Sequence, residues 1–158
     1  MTENSTDTPA PTTGRIVVGD DGSAAAGEAV RWASALAGDL GATLEVVRAW
    51  TLRSTPRPAS LAGTHVPSEE EFGTALLEDL KVDVDKLGLP SEVTCTVVHG
   101  TSSATLLKAA EGARLLVVGS RGAGGFSGLL MGSTADQVVR YGSMPVVVVP
   151  VAKTADKS

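Results

Sequence analysis

The residues whose types and spacing are best suited to chemistry form a glycine-rich stretch, residues 119–134, which reads GSRGAGGFSGLLMGST. An apolar, strand-like run precedes it, and Ser133 and Thr134, whose side chains favour helix starts, end it. Glycine lets the backbone come close to a phosphate, and hydroxyls and helix N-termini supply further donors. The stretch therefore indicates a phosphate-binding loop. The alternative is a flexible surface loop that binds no ligand.

The spacing of this stretch excludes the most familiar phosphate motifs. A Walker A loop requires a lysine after its last glycine, but Ser133 follows Gly132 directly. The dinucleotide fingerprint G-x-G-x-x-G and the nucleophile elbow G-x-S-x-G are not matched either. The pattern present is glycine, two residues, glycine, nine residues, glycine and serine, formed by Gly119, Gly122, Gly132 and Ser133.

The elements that must position this loop alternate along the chain. Continuous runs of Val, Ile and Leu are typical of strands buried on both faces of a parallel sheet, and five apolar runs are candidates: 16–18, 44–50, 93–98, 115–118 and 146–149. Four helical patterns separate them and end at Gly41, Gly88, Gly112 and Gly142. This alternation predicts an α/β fold with an open doubly wound parallel sheet and right-handed crossovers.

Composition limits the classes of protein that fit. At 158 residues and 42% hydrophobic, residues 14–151 suit one domain, with 1–13 as a disordered tail and 152–158 as a flexible tail. A net charge of −5 with 3% aromatics and no basic cluster argues against nucleic-acid binding. No apolar run approaches the ~20 residues of a membrane span. The start of the chain does not resemble a secretory signal, so we expect a cytoplasmic protein.

Other polar residues point to no catalytic centre. His65 lies in the long connection 51–67, which is either a functional lid or a flexible excursion, and His99 ends the third strand. Neither histidine has a cysteine or acid at metal-ligand spacing, and no Ser-His-Asp set can be assembled. Arg121 could offset phosphate charge in place of the absent lysine, or it could be a solvated loop residue.

Four segments together resemble the universal stress protein family, in its ATP-binding subgroup. They are IVVGDDGS at 16–23, VVRAW at 46–50, the run that ends in the glycine-rich stretch at 115–134, and PVVVVP at 145–150. The resemblance extends over about residues 14–151. It implies a Rossmann-like, five-stranded parallel sheet in the order 3-2-1-4-5, with helices on both faces.

The resemblance also implies roles for particular residues. Asp21 would lie beside ATP, near its sugar, its phosphates or a Mg²⁺ ion, although a turn with a helix N-cap at Ser23 explains the same residue types. The backbone of Ala49 would meet the adenine. The remaining residues would hold the ribose and phosphates: Gly119, Gly122, Gly132, Ser133 and Thr134.

These implications lead to one functional hypothesis with alternatives. We expect an ATP-binding, nucleotide-responsive regulator of stress response or dormancy, which forms a homodimer through the last strand, Val146–Val149, and acts on an unidentified protein partner. The absence of an assigned base or arginine finger argues against an efficient enzyme. The alternatives are a nucleotide-free dimeric scaffold, a slow ATPase that phosphorylates itself at Ser133 or Thr134, and a small phosphoryl- or adenylyl-transfer enzyme.

Overall fold

A five-stranded parallel sheet forms the centre of the molecule. The structure is a computed structural model that describes residues 14–90, 92–121 and 131–150. Every strand pair is parallel, and the strands lie in the order β3-β2-β1-β4-β5. The strands are β1 Arg15–Gly19, β2 Thr43–Trp50, β3 Val93–His99, β4 Leu115–Gly119 and β5 Val146–Val149. The doubly wound order 3-2-1-4-5 is therefore confirmed.

The helices follow the predicted pattern, and their ends have local causes. They are α1 Ala24–Leu40, α2 Glu69–Lys86, α3 Ser102–Ala109 and α4 Ser133–Tyr141. The end of α1 is at Gly41, whose φ of 64° suits glycine and whose N–H reaches two carbonyls of the last turn. A capping box between Ser68 and Glu71 begins α2. The end of α3 comes earlier than predicted, because Ala110 caps it before Gly112 is reached.

The central strands β1, β2 and β4 are buried on both faces, which explains their continuous apolar runs. Ile16 and Val18 point to one face, where they pack with residues of α1 and α2. Val17 points to the other face, where it packs with Leu106 of α3 and Val138 of α4. Successive strand residues alternate between faces, so a strand covered on both sides needs no polar positions.

The long connection 51–67 is packed against the domain at its middle. It contains a short 3₁₀ helix, Ala59–Leu61, and the Leu61 side chain contacts a cluster formed by Trp50, Phe72 and Leu76. The Arg57 guanidinium donates to the Leu61 carbonyl at 2.6 Å. None of the helices in the part of the chain that the structure describes has the length and apolar character needed to cross a bilayer.

Candidate functional site

The sheet order changes direction at β1 and β4. β1 pairs with β2 on one side and with β4 on the other, and β4 continues to β5. In open parallel sheets a crevice forms at the carboxyl ends of such a strand pair, and ligands bind there. Gly19 and Gly119 are the last residues of the two strands, so the segments that follow them begin at this crevice.

The turn after β1 is held by its own carboxylates. Asp20 Oδ1 accepts the Gly22 N–H at 2.7 Å, and Asp21 Oδ1 accepts the Ser23 N–H at 2.9 Å. Gly22 has a φ of 83°, a conformation that favours glycine. Ser23 then caps α1, because its hydroxyl accepts the Ala26 N–H at 3.1 Å. The turn and the N-cap are both present, and Asp21 is exposed at the same position.

The loop after β4 is closed at its base, and the last residue of β4, Gly119, lies against the start of α1. The Gly132 N–H donates to the Ser120 carbonyl at 2.6 Å. A Cβ atom added to Gly119 would lie 3.3 Å from the Arg121 carbonyl oxygen and 3.6 Å from that of Ala25 in α1. The end of β4 and the turn after β1 therefore both border the first turn of α1. Residues 122–130, with Gly122 among them, lie outside the described part of the chain.

The first turn of α4 offers backbone donors to this region. Gly132 is the N-cap and has no side chain that could accept from the first N–H groups, while its carbonyl accepts the Asp136 N–H at 3.0 Å. Ser133 is exposed and Thr134 half-buried. Unpaired N–H groups and the helix dipole favour an anion at such a position. Asp136 opposes this, but its carboxylate pairs with Arg140 at 3.0 Å.

Two predicted residues lie at the margins of this arrangement. Ala49 is half-buried on β2, opposite Val98 of β3, so it is separated from β4 by the width of β1. Arg121 is exposed and directly follows Ser120. The structure thus brings Asp21 and Gly119 together around the start of α1 and joins Gly132 to the end of β4. Ala49 lies at the same ends of the strands, but on β2.

A buried ionic cluster beneath the turn is not identified from the sequence. Arg48 of β2 is 8% exposed, and its Nη2 atom lies 3.0 Å from Asp20 Oδ2 and 3.0 Å from Asp83 Oδ2. Burial disfavours the charged guanidinium, but the Asp20 charge and hydrogen bonds to both carboxylates outweigh it and raise the pKa of Arg48. The sequence did contain a signal for this cluster, namely an arginine within the apolar run VVRAW. A charged residue in a buried strand is rare without an oppositely charged partner.

Trp50 is part of an aromatic stack near the Ala49 backbone. Its ring lies 4.9 Å from that of Phe72 and 4.4 Å from the imidazole of His99, with interplanar angles of 27° and 19°. His99 Nδ1 is 3.5 Å from a carboxylate oxygen of Glu69. Trp50 is only 4% exposed, so its ring contributes to packing.

The carboxylates at the crevice do not form a metal centre of their own. Within residues 14–90, 92–121 and 131–150, no group of three or more His, Cys, Asp or Glu side chains could hold a metal ion. Asp21 is the exposed carboxylate of the turn. Mg²⁺ in proteins is commonly held by one or two carboxylates together with substrate phosphates. The residues present therefore fit a metal ion that is bound mainly by a nucleotide.

The fold and the crevice define a doubly wound α/β domain with a candidate anion site at its switch point. The chain belongs to the universal stress protein family, whose family model matches residues 12–150. It is 38% identical over 138 residues to a universal stress protein of Mycolicibacterium smegmatis, covering 85% of this chain and 47% of that protein. A universal stress protein of Mycobacterium tuberculosis is 29% identical over 140 residues, with coverages of 89% and 46%. The chain spans about half the length of the curated relatives it matches.

Solved structures of the same family share the fold. A universal stress protein in complex with cAMP superposes with a TM-score of 0.64 at 24% identity, covering 87% of this chain and 96% of that one. The Archaeoglobus fulgidus protein in complex with dAMP gives 0.54 at 21% identity, with coverages of 85% and 96%. A family member from Burkholderia pseudomallei gives 0.58 at 26% identity, with coverages of 90% and 100%.

Proposed function

We propose that this chain binds ATP, together with Mg²⁺, in the crevice between the ends of β1 and β4. The observation that carries the proposal is the closed base of the loop after β4, next to a strand end, Gly119, that lies against the start of α1. The Ser120–Gly132 hydrogen bond of 2.6 Å sets the α4 N-terminus at the end of β4, and Gly119 leaves room beside Ala25. Backbone donors, a helix dipole and glycines at one switch point suit a phosphate chain.

Each part of the crevice has a distinct task in this proposal. The first-turn N–H groups of α4 and the Ser133 and Thr134 hydroxyls bind phosphate oxygens, and Gly119 and Gly122 let the backbone approach them. Asp21, exposed on the turn before α1, meets the sugar or the phosphate-bound metal. Mg²⁺, when bound, offsets phosphate charge. The Ala49 backbone, at the end of β2, meets the adenine.

Two of the structurally similar proteins support a nucleotide of this class. Their ligands, cAMP and dAMP, both consist of an adenosine-type nucleoside with a single phosphate group. An adenine and one phosphate are therefore the features that the ligand of this chain would share with those two ligands. The glycine spacing that resembles the ATP-binding subgroup extends the proposal from one phosphate to three.

The direct test is to identify and measure the bound nucleotide. Protein purified without added nucleotide is denatured, and the released small molecules are identified by mass spectrometry. Calorimetric titrations of nucleotide-free protein with ATP and MgCl₂, AMP, cAMP and GTP then rank the affinities. We expect ATP with Mg²⁺ to bind most tightly and GTP weakly. Tighter binding of cAMP or AMP would reject ATP as the ligand, and no binding at all would favour a nucleotide-free scaffold.

We assign the bound state a regulatory role rather than a catalytic one. Nucleotide occupancy would change the surface that the crevice offers to a regulatory protein partner. ADP release and the mass of the intact protein after incubation with Mg-ATP test the alternatives. Turnover at the rate of an ordinary enzyme, or a phosphate on Ser133 or Thr134, would replace the regulatory proposal with an enzymatic one.

The same proposal includes a homodimer formed through β5. This strand is an edge of the sheet, and its four valines are only half-buried. Exposed edge strands are normally covered, because their free backbone groups pair with other strands. Sedimentation equilibrium should show a dimer for the wild type and a monomer for Val148→Lys. A monomeric wild type, or a dimeric variant, would reject this interface.

A further inference from the structure

The Arg48 side chain connects three elements beneath the crevice. It extends from β2, and its Nη2 atom donates one hydrogen bond to Asp20, in the turn after β1, and one to Asp83, in α2, each at 3.0 Å. We propose that Arg48 is a positioning residue of the nucleotide site, which fixes the turn carrying Asp21 by holding the buried carboxylate of Asp20. This inference rests on the proposed nucleotide-binding function.

The contacts form a continuous path from the strand to the turn. The Asp20 backbone N–H donates to the Val47 carbonyl of β2 at 3.0 Å, and its side chain accepts from both Arg48 and the Gly22 N–H, the latter at 2.7 Å. A Cβ atom added to Gly22 would lie 3.7 Å from Arg48 Nη2. The guanidinium therefore lies directly beneath the turn and bonds to the carboxylate that shapes it.

The charges of the adjacent aspartates explain why a cation is needed at this position. Asp20 turns inward, where its side chain is 8% exposed, while Asp21 turns outward. Without Arg48, a buried carboxylate would remain uncompensated beside a site proposed to bind phosphates. An unpaired buried charge destabilises the folded state, and the Asp20 carboxylate would regain hydration if the turn moved toward water.

The hydrogen bonds of the guanidinium favour a role for Arg48 through Asp20. Both hydrogens of Nη2 are directed to carboxylates, and Nε is buried without a hydrogen-bond partner among the described residues. A phosphate could bond to Nη2 only by displacing one of these acidic partners. In this proposal the ligand is bound by backbone donors, and Arg48 determines where the turn lies.

The test measures nucleotide affinity and turn mobility in the same variants. Arg48→Met should weaken Mg-ATP binding by about tenfold or more, since it strands the Asp20 charge. Hydrogen exchange at the Gly22 and Ser23 amides should accelerate in that variant without nucleotide. Adding Asp20→Asn to Arg48→Met should recover most of the affinity, because the amide oxygen can still accept the Gly22 N–H and no charge remains to be offset.

Two further variants keep the test decisive. Arg48→Lys retains the charge but cannot bridge both carboxylates equally, so we expect intermediate affinity, and this variant replaces Arg48→Met if the latter does not fold. Arg15→Met is the matched control, because it removes a partly buried arginine at the other end of the strands, where β1 begins. It should leave Mg-ATP affinity and Gly22 exchange unchanged.

The outcomes separate this inference from the proposed function. Wild-type affinity and wild-type Gly22 exchange in Arg48→Met would overturn the positioning role, and so would equal losses in Arg15→Met. Failure of the Asp20→Asn addition to restore affinity would overturn the action through Asp20. A wild type that binds no adenine nucleotide would reject the proposed function itself. In that case the Gly22 exchange alone decides whether Arg48 holds the turn.

Discussion

One arginine is packed near each end of the parallel strands. Arg15 lies where the strands begin, here called the amino edge, and Arg48 lies near where they end, here called the carboxyl edge. The two arginines have different kinds of partner. At the amino edge, Arg15 bonds to the Glu45 carboxylate at 2.9 Å and to the carbonyls of Ala109 and Glu111 at 2.8 and 3.1 Å. Those carbonyls belong to the C-terminal end of α3 and the turn after it. A cation there complements the negative end of the helix dipole.

At the carboxyl edge, the partners of Arg48 among the described residues are both carboxylates, Asp20 and Asp83. This edge contains the N-termini of the helices, whose first N–H groups and dipoles favour negative charge. An arginine is not needed there to complement the helix ends, but it offsets acids that shape a turn. Under the proposed function, the amino edge serves stability and the carboxyl edge serves binding.

Filling the crevice should produce the largest effect on binding. Gly119→Val adds a branched side chain where a Cβ alone would lie 3.3 Å from the Arg121 carbonyl oxygen. We expect Mg-ATP affinity to fall by about a hundredfold or more, measured by calorimetry, because a close backbone approach is lost. Gly38→Ala is the control, since a Cβ on this helical glycine meets nothing within 4 Å. Affinity that survives Gly119→Val would remove β4 from the site.

Removing the outward carboxylate should have the next largest effect. Asp21→Ala should weaken Mg-ATP binding by about tenfold, since it removes a polar partner at the nucleotide. Asp21→Asn keeps an acceptor for the Ser23 N–H, which now lies 2.9 Å from Asp21 Oδ1. If Asp21 acts through its charge on a metal ion, both variants weaken binding equally in Mg²⁺. Full affinity in both would restrict Asp21 to its role in the turn.

Local signals in the sequence account for the elements of the fold. The capping box at Ser68 and Glu71 and the left-handed Gly41 are short-range features, and they mark helix ends where the structure has them. The central strands β1, β2 and β4 were predictable because both of their faces are covered. The strand order came from the resemblance to a family, since no local pattern specifies which strands are neighbours.

The ionic cluster and the long connection depend on tertiary contacts. Asp20, Arg48 and Asp83 lie on three separate elements, so their pairing follows only from the assembled sheet and α2. Similarly, Leu61 packs against the cluster of Trp50, Phe72 and Leu76, a contact that proline and serine content does not indicate. Asp20 and Asp21 show most clearly what the sequence does not reveal, because residue type alone does not tell which of the two carboxylates turns inward.

A variant at the amino edge tests the stability side of the comparison. Arg15→Met removes contacts to one carboxylate and two carbonyls, so the free energy of unfolding should fall by about 1–3 kcal/mol. Urea denaturation followed by circular dichroism measures this loss. Mg-ATP affinity should stay within about twofold of the wild-type value, because additivity holds for distant sites. A loss of Mg-ATP affinity in the same variant would show that the two edges are coupled. It would contradict the assignment of stability to one edge and binding to the other.

The smallest effect is expected at α2, whose N-terminus lies at the carboxyl edge but is satisfied by the chain itself. The Glu71 carboxylate accepts the Ser68 N–H at 2.7 Å, and this bond, with help from His65, lowers the pKa of Glu71. A lowered pKa means that the stabilisation is complete above the ordinary glutamate pKa and is lost as pH falls through the lower value.

Glu71→Gln retains an acceptor oxygen for the Ser68 N–H but does not titrate. Its unfolding free energy should therefore decrease less than that of the wild type between about pH 5 and pH 3, measured by urea denaturation at each pH. Glu70→Gln, in the same turn but outside the capping box, should keep the wild-type pH dependence. An unchanged acid slope in Glu71→Gln would show that the Glu71 charge contributes nothing to the pH dependence. Weaker Mg-ATP binding in that variant would mean that α2, like α4, belongs to the nucleotide site.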